Sequence, residues 1–189
     1  MNKSVNFELT SDDPLTLDIV ESGVVSFHDL IRCVRRFHYG RNSQRADLNL
    51  VWYERRGTCS SKHAFLKNVA ELNQIPNVEL MMCLFKMNSD NTKGLVGFME
   101  QTDLEYIPEA HCYIRWNNEP IDVTFMGSNI DQLLKATLEE KQIQAKDVVE
   151  NKLIWHKQKL VEWLDSNRPN MTLEEIWGIR ERAIQYLED

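Results

Sequence analysis

The sequence predicts an α+β protein, because its hydrophobic periodicity changes twice along the chain. Apolar residues recur at helical spacing over residues 26–72, form strand-like runs over 78–125, and return to helical spacing from residue 128 onward. Strands grouped between runs of helices are typical of the α+β class. We therefore expect a helix packed on an antiparallel sheet within residues 1–128, and a C-terminal helical extension, residues 129–189, packed on that core.

The composition is that of a globular chain of 189 residues, with 42% hydrophobic and 27% charged residues. No run of about 18 apolar residues occurs, and residues 1–11 lack the apolar centre of a secretory signal. We therefore expect no membrane span and a cytoplasmic location. The four cysteines lack the short paired spacings of zinc sites and small disulfide scaffolds, so reduced thiols are expected.

The net charge of the chain is -7, but one segment of it is basic. Residues 30–70 carry nine Lys or Arg against two acidic residues, whereas the rest of the chain is acidic. Such a segment is usually a solvated helix face or contacts acidic parts of the same chain, although it could also attract an acidic substrate. Because no nucleic-acid motif accompanies it, a nucleic-acid partner is not expected.

The first part of the chain is predicted from caps and apolar spacing. A strand is expected at Leu15–Val20, directly after Pro14. Ser26-Phe27-His28-Asp29 forms a capping box ahead of apolar residues at helical spacing, and Gly40 is placed to end that helix. Residues 42–56 permit a second short helix.

The middle of the protein is predicted to be a sheet, and its end helical. Nearly unbroken or alternating apolar runs indicate strands, and capping residues indicate three helices after residue 127. The expected strands are Val78–Phe85, Gly94–Met99, Ala110–Trp116 and Ile121–Phe125. The expected helices start at Ser128, at about Asp147 and at Thr172.

Cys59 is the best placed nucleophile in the sequence. Gly57 and Thr58 directly precede it, which places it at the first turn of an amphipathic helix predicted over Ser60–Leu72. Helix N-termini have backbone N–H groups without intrahelical partners and the positive end of the dipole, and both stabilise a thiolate. His63 lies one turn further on the same side of the helix, where it could tune the thiolate or be a plain polar residue.

The hairpin that follows could supply a base and its orienting carboxylate. A two-residue turn at Asn117-Asn118 would pair Trp116 with Glu119. In that register Asp122 lies diagonal to His111 on the same face, roughly 7–8 Å away at the backbone. A three-residue loop would turn the two side chains to opposite faces. A catalytic pairing of His111 with Asp122 therefore requires an even-numbered loop.

Three segments carry a resemblance to a known family: Gly57-Thr58-Cys59-Ser60-Ser61, His111-Cys112-Tyr113 and Ile121-Asp122-Val123-Thr124. Taken in chain order, they resemble the transglutaminase-like cysteine-enzyme superfamily over about residues 27–126. The resemblance implies a papain-like α+β core and thiol-dependent chemistry on an amide through a thioester, by hydrolysis, deamidation, transglutamination or acyl transfer. It implies Cys59 as nucleophile, His111 as base and then acid, and Asp122 as the group that orients His111.

The chain departs from that family pattern at two points. Tyr113 stands where many members have Trp, and the side chain that completes the oxyanion hole has only Trp52 and Tyr53 as candidates. The substrate implied is a peptide, a protein or a small amide, and no cofactor is implied. The resemblance does not cover residues 129–189.

Two other uses of these residues compete with catalysis. A zinc site is disfavoured because His111 and Cys112, adjacent in a strand, cannot both face one ion, and no C-x-x-C or H-x-x-x-H pair occurs. No metal is therefore expected. The alternative function is a catalytically inactive module of the same fold, which binds a protein or nucleic-acid partner through the basic segment or the C-terminal helices.

Overall fold

The computed structural model describes residues 6–188 and has a mixed α and β architecture, consistent with the predicted α+β class. Residues 1–5, which belong to the N-terminal stretch without a signal-like centre, lie outside this range, as does Asp189. The helices are α1 Pro14–Glu21, α2 Phe27–Arg35, α3 Leu50–Tyr53, α4 Cys59–Leu72, α5 Val96–Met99, α6 Ile130–Lys135, α7 Glu150–Asn167 and α8 Leu173–Glu188. The strands are β1 His38–Tyr39, β2 Arg56–Gly57, β3 Val78–Met87, β4 Ile107–Trp116, β5 Glu119–Ile121 and β6 Thr137–Ile143.

The strands form two sheets. The larger sheet has the order β5-β4-β3-β6, with β4 and β5 antiparallel, and the smaller pairs β1 with β2 in parallel. Short 3-10 helices occupy Lys93–Leu95 and Ala145–Val148. The predicted strands Val78–Phe85 and Ala110–Trp116 are confirmed as parts of β3 and β4.

The chain divides into two compact units. The first comprises residues up to Met81, Cys112–Ser128 and Gln142–Lys146, and the second comprises the remaining segments. Both β3 and β4 contribute residues to each unit. The division between residues 1–128 and 129–189 stays a prediction.

The first unit is built on α2 and α4, which pack against each other. Ser26 is confirmed as the N-cap of α2, since its hydroxyl accepts from the Asp29 N–H at 3.2 Å, and the Asp29 carboxylate accepts from that hydroxyl at 2.6 Å. Helix α2 buries one apolar stripe and leaves its arginines on the other side. The buried residues of the stripe are Phe27, Leu30, Ile31 and Val34.

Two predictions for this unit are wrong. Residues 15–20 are helical, because the Asp13 side chain caps the Leu15 N–H at 3.0 Å and Pro14 occupies the first turn, where its missing N–H costs nothing. Helix α2 ends at Arg35 and not at Gly40. The chain leaves the helix there because the His38 N–H donates to the Arg55 carbonyl at 3.0 Å, which starts the pairing of β1 with β2.

The second unit corrects one predicted strand and adds another. Gly94–Met99 forms helical turns, and a Cβ at Gly94 or Gly97 would lie 2.6 Å from Leu187 or 2.9 Å from Tyr186 of α8. The glycines are therefore needed for the close approach of α8. Strand β6 was not predicted, because its alternation is weak and most of its residues are exposed.

The three C-terminal helices are confirmed. Asn129 caps α6 by accepting from the Gln132 N–H at 3.2 Å. At α8, Thr172 and Glu175 exchange hydrogen bonds as a capping box. Within residues 6–188 no helix combines the length and the apolar character needed to cross a bilayer.

A buried ion pair joins β4 to α8 in the second unit. Glu109, 4% exposed, receives two hydrogen bonds from Arg180, at 2.6 and 2.8 Å. The Nε2–H of His156 donates to the Pro108 carbonyl at 2.9 Å and lies 3.9 Å from the Glu109 carboxylate. Burial alone would raise the pKa of Glu109, but the charges of Arg180 and His156 outweigh burial and lower the pKa to about 2.

Glu109→Gln is expected to destabilise the protein by about 3 kcal/mol at pH 7, because the largely buried Arg180 would lose its bidentate carboxylate and keep only the bond to Glu181. The stabilisation from Glu109 is present above its unfolded pKa of 4.5 and is lost as the pH falls towards about 2. Urea unfolding followed by tryptophan fluorescence between pH 2.5 and 7 measures both effects. In the variant, the decline of unfolding free energy with acid should be shallower, whereas Glu162→Gln, at an exposed position, should leave it unchanged. Parallel curves for wild type and Glu109→Gln would contradict this assignment.

Candidate active site at the start of helix α4

Cys59 is the first residue of α4, as predicted, and the turn before it is fixed by a capping box. The Thr58 hydroxyl accepts from the Ser61 N–H, and the Ser61 hydroxyl accepts from the Thr58 N–H at 2.9 Å. Gly57 is required for this approach, since a Cβ there would lie 2.8 Å from both Ser61 and Lys62 side-chain atoms. The Cys59 residue is 6% exposed.

The predicted hairpin turn is confirmed. Trp116 pairs with Glu119, and Asn117 and Asn118 have φ values of 50° and 68°, as a two-residue turn of the I′ type requires. The loop is therefore even-numbered.

The predicted strand Ile121–Phe125 is wrong beyond its first residue, because β5 ends at Ile121. Side chains then take over the backbone hydrogen bonds. The Asp122 carboxylate accepts from the Thr124 N–H at 2.8 Å and from the Thr124 hydroxyl at 2.6 Å. The Val123 N–H donates to the His63 ring at 2.8 Å.

His63 connects this segment to the first turn of α4. Its Nδ1 lies 2.6 Å from the Cys59 carbonyl oxygen and its Nε2 accepts from Val123. A carbonyl can only accept and an amide N–H can only donate, so this network assigns the proton to Nδ1 and makes the ring neutral. Nε2 is also 3.5 Å from Asp122. His63 is therefore a buried bridge and not a plain polar surface residue.

Lys62 is the residue of this site that the sequence analysis missed. Its side chain is fully buried, and its ammonium donates to the Phe37 carbonyl at 2.7 Å and the Thr124 carbonyl at 2.9 Å. Its position was readable, since Lys62 is three residues before Phe65 and seven before Val69, on the apolar stripe of α4. A lysine on such a stripe must carry its charge into the interior or neutralise it.

Opposing effects set the pKa of the Lys62 ammonium. Burial lowers its pKa from 10.5 to about 8, while the charges of Asp122 and Cys59 act in the opposite direction. An attraction between two charges acts on both partners, so a protonated Lys62 also favours the thiolate of Cys59. A cation inside the protein therefore acts electrostatically on the thiolate at the first turn of α4.

The remaining predicted residues have the following contacts within their own units. His111 belongs to the second unit, where its ring meets the Phe85 ring edge-on at 5.8 Å. In the first unit, Trp52 is buried beneath the Arg55 guanidinium, 3.6 Å from the ring centre, and the Tyr53 hydroxyl donates to Asp18 at 2.7 Å. The base role of His111 and the oxyanion roles of Trp52 and Tyr53 stay predictions.

Comparison with known proteins finds no matching family model, no matching curated protein and no matching solved structure. The resemblance to the transglutaminase-like superfamily therefore stays a prediction. Among residues 6–188, no three His, Cys, Asp or Glu side chains are grouped so that they could hold a metal ion. The four cysteines carry thiols.

Lys62 is expected to make the stability of the protein depend on alkaline pH. Its folded pKa of about 8 lies below the unfolded value of 10.5, so the unfolded chain binds more protons between these values and unfolding free energy rises with pH there. Urea unfolding of wild type and Lys62→Met at pH 7.5 to 10.5 should show this rise in the wild type alone. Lys67→Met, five residues along α4, is the control and should retain it. A rise of equal size in Lys62→Met would contradict the prediction.

Proposed function

We propose that the protein is a thiol-dependent hydrolase or acyl transferase that acts on an amide through a thioester on Cys59. The observation that supports this most directly is the position of Cys59 at the first residue of a capped 14-residue helix, three residues before the fully buried Lys62, whose charge favours the thiolate. Helix N-termini and cationic neighbours are the environments in which cysteine becomes a nucleophile at neutral pH. The papain-like form of the α+β core belongs to the same proposal.

The reaction begins with the thiolate. His111, in the role that the family resemblance assigns to it, accepts the thiol proton. The Cys59 thiolate attacks the carboxamide carbon, the C–N bond breaks, and the amine departs with the proton that His111 returns. Water or a second amine then attacks the thioester and returns the thiol. In this scheme Lys62 favours the thiolate by its charge, and Asp122 partly offsets that charge.

Three segments fix the nucleophile in one place. Lys62 ties α4 to the end of α2 through Phe37 and to the Asp122 segment through Thr124, while His63 holds the Cys59 carbonyl. A nucleophile held by several elements loses little freedom on reaching the substrate, which lowers the entropic part of the barrier. This supports a catalytic interpretation over that of an ordinary core cysteine.

The alternative is an inactive module of the same fold, and cysteine reactivity distinguishes the two. Cys33 is the internal reference, because burial raises the pKa of its thiol, against the opposing charges of Arg55 and Arg36. Cys83 and Cys112 are fully buried.

In native protein at about pH 6, iodoacetamide is expected to alkylate Cys59 roughly tenfold faster than Cys33, because only Cys59 has a helix N-terminus and a buried cation favouring its thiolate. Peptide mass spectrometry over a time course measures both rates. Unfolded protein should show equal rates, and Lys62→Met should reduce the preference for Cys59. Faster labelling of Cys33 than of Cys59 would favour the inactive module.

Cys59→Ala is expected to abolish turnover, by 100-fold or more, because the covalent step has no other nucleophile. The assay follows ammonia release from glutamine-containing peptides, and hydroxamate formation with hydroxylamine as the second amine. Cys33→Ala is the matched control and should retain wild-type rates, while His111→Gln tests the base that the sequence predicts. Unchanged turnover in Cys59→Ala would refute the proposed mechanism.

A further inference from the structure

Exposed basic residues lie in and beside the two-stranded sheet of the first unit. The parallel pairing of β1 with β2 sets His38 opposite Arg56, and the Arg55 carbonyl accepts from the His38 N–H. Arg36, the C-terminal cap of α2, lies two residues before His38. We call Arg36, His38, Arg55 and Arg56, all exposed, the arginine face.

Arg55 is held in an orientation suited to carboxylate binding. Its backbone has a positive φ of 51°, and its guanidinium carbon lies 3.6 Å from the Trp52 ring centre and 5.2 Å from that of Phe37. A guanidinium stacked flat on an aromatic ring keeps the N–H groups at its edge available, and these match a carboxylate in bidentate geometry. Stacking also reduces the side-chain entropy that binding would otherwise cost.

The acidic residue within this region is already engaged. Glu54 accepts from the Asn42 side chain at 2.9 Å and from the Ser43 N–H and hydroxyl, and the Ser43 hydrogen bond is the main reason that the pKa of Glu54 is lowered. Its carboxylate thereby fixes the loop that follows β1. The carboxylate of Glu54 is outnumbered by the guanidiniums of Arg36, Arg55 and Arg56, so the arginine face has a net positive charge.

The arginine face lies next to Cys59 along the chain. Arg56 is three residues before Cys59, so their Cα atoms are at most about 11 Å apart. We infer that the arginine face binds an acidic peptide segment that flanks the carboxamide attacked by Cys59. This inference rests on the proposed function for the reaction, and it adds the substrate class: a peptide with Asp or Glu within a few residues of the reactive amide.

Charge favours a short acidic peptide over a nucleic acid as the occupant. The whole chain has a net charge of -7, which repels a long polyanion, while the basic segment is confined to residues 30–70. A few carboxylates can be bound by the arginine face without extending over the acidic remainder of the sequence. A nucleic acid would need a longer basic track.

Fluorescence anisotropy with full-length protein tests the inference. The probe is a fluorescein-labelled peptide of about twelve residues, with one central glutamine flanked by glutamates, compared with a peptide in which glutamines replace the glutamates. Acidic peptide should bind at least about tenfold tighter than the neutral one at low ionic strength, and added salt should reduce the difference.

Arg55→Gln/Arg56→Gln is expected to weaken binding of the acidic peptide about tenfold or more and to leave the neutral peptide unaffected. Lys135→Gln/Arg182→Gln removes the same charge from exposed positions in the second unit and should change binding by less than about twofold. Arg55→Lys/Arg56→Lys keeps the charge, loses the bidentate fork and should bind with intermediate affinity. Circular dichroism establishes that each variant is folded.

Two results would overturn the inference. One is equal affinity for acidic and neutral peptides, and the other is tighter binding of single-stranded oligothymidylate than of the acidic peptide, which would make the face a nucleic-acid site. Cys59→Ala separates this inference from the proposed function, because it should bind the acidic peptide as wild type does while losing turnover. Acidic-peptide binding together with unchanged turnover in Cys59→Ala would support the face and refute the reaction.

Discussion

The candidate site depends on one buried cation. The Lys62 ammonium donates to backbone carbonyls of Phe37 and Thr124, so a single side chain connects three segments that are far apart in the sequence. Taking an ammonium out of water costs several kcal/mol unless hydrogen bonds and opposite charge replace the solvent. The carbonyls supply the hydrogen bonds and Asp122 supplies the charge. The geometry of the Asp122 segment and the protonation of Lys62 are therefore coupled.

His63 and His111 differ as candidates for the base of the reaction. His63 contacts the Cys59 carbonyl oxygen and lies 3.5 Å from Asp122, which makes it a candidate for the base. Both of its ring nitrogens, however, are engaged with backbone groups, so gaining a proton would break the bond from Val123. His63 is a positioning residue. The base role of His111 stays a prediction from the sequence pattern.

The second unit uses buried charge in a different way. Glu109 and Arg180 form a bidentate pair that fixes α8 to β4, and the pair is fully matched within that unit. In the first unit, the Lys62 ammonium donates to backbone carbonyls, and the charge of Asp122 favours its protonated form. A matched pair lowers the pKa of its acid to about 2, whereas the less compensated lysine has a pKa of about 8, within reach of physiological pH. Groups poised in this way are candidates for function.

The sequence by itself determined the features that rest on local chemistry: the helix starts at Ser26, Asn129 and Thr172, the buried strand Val78–Phe85, the Asn117-Asn118 turn and the place of Cys59 at a helix start. Caps, turns and apolar periodicity are encoded within a few residues, so they can be read directly. Only the tertiary structure decided that β5 stops at Ile121, since the Val123 N–H and the Thr124 carbonyl bond to His63 and Lys62, which are distant in the chain. It alone decided how the charge of Lys62 is accommodated, because the energy of a buried charge depends on carbonyls and carboxylates that other segments bring to it.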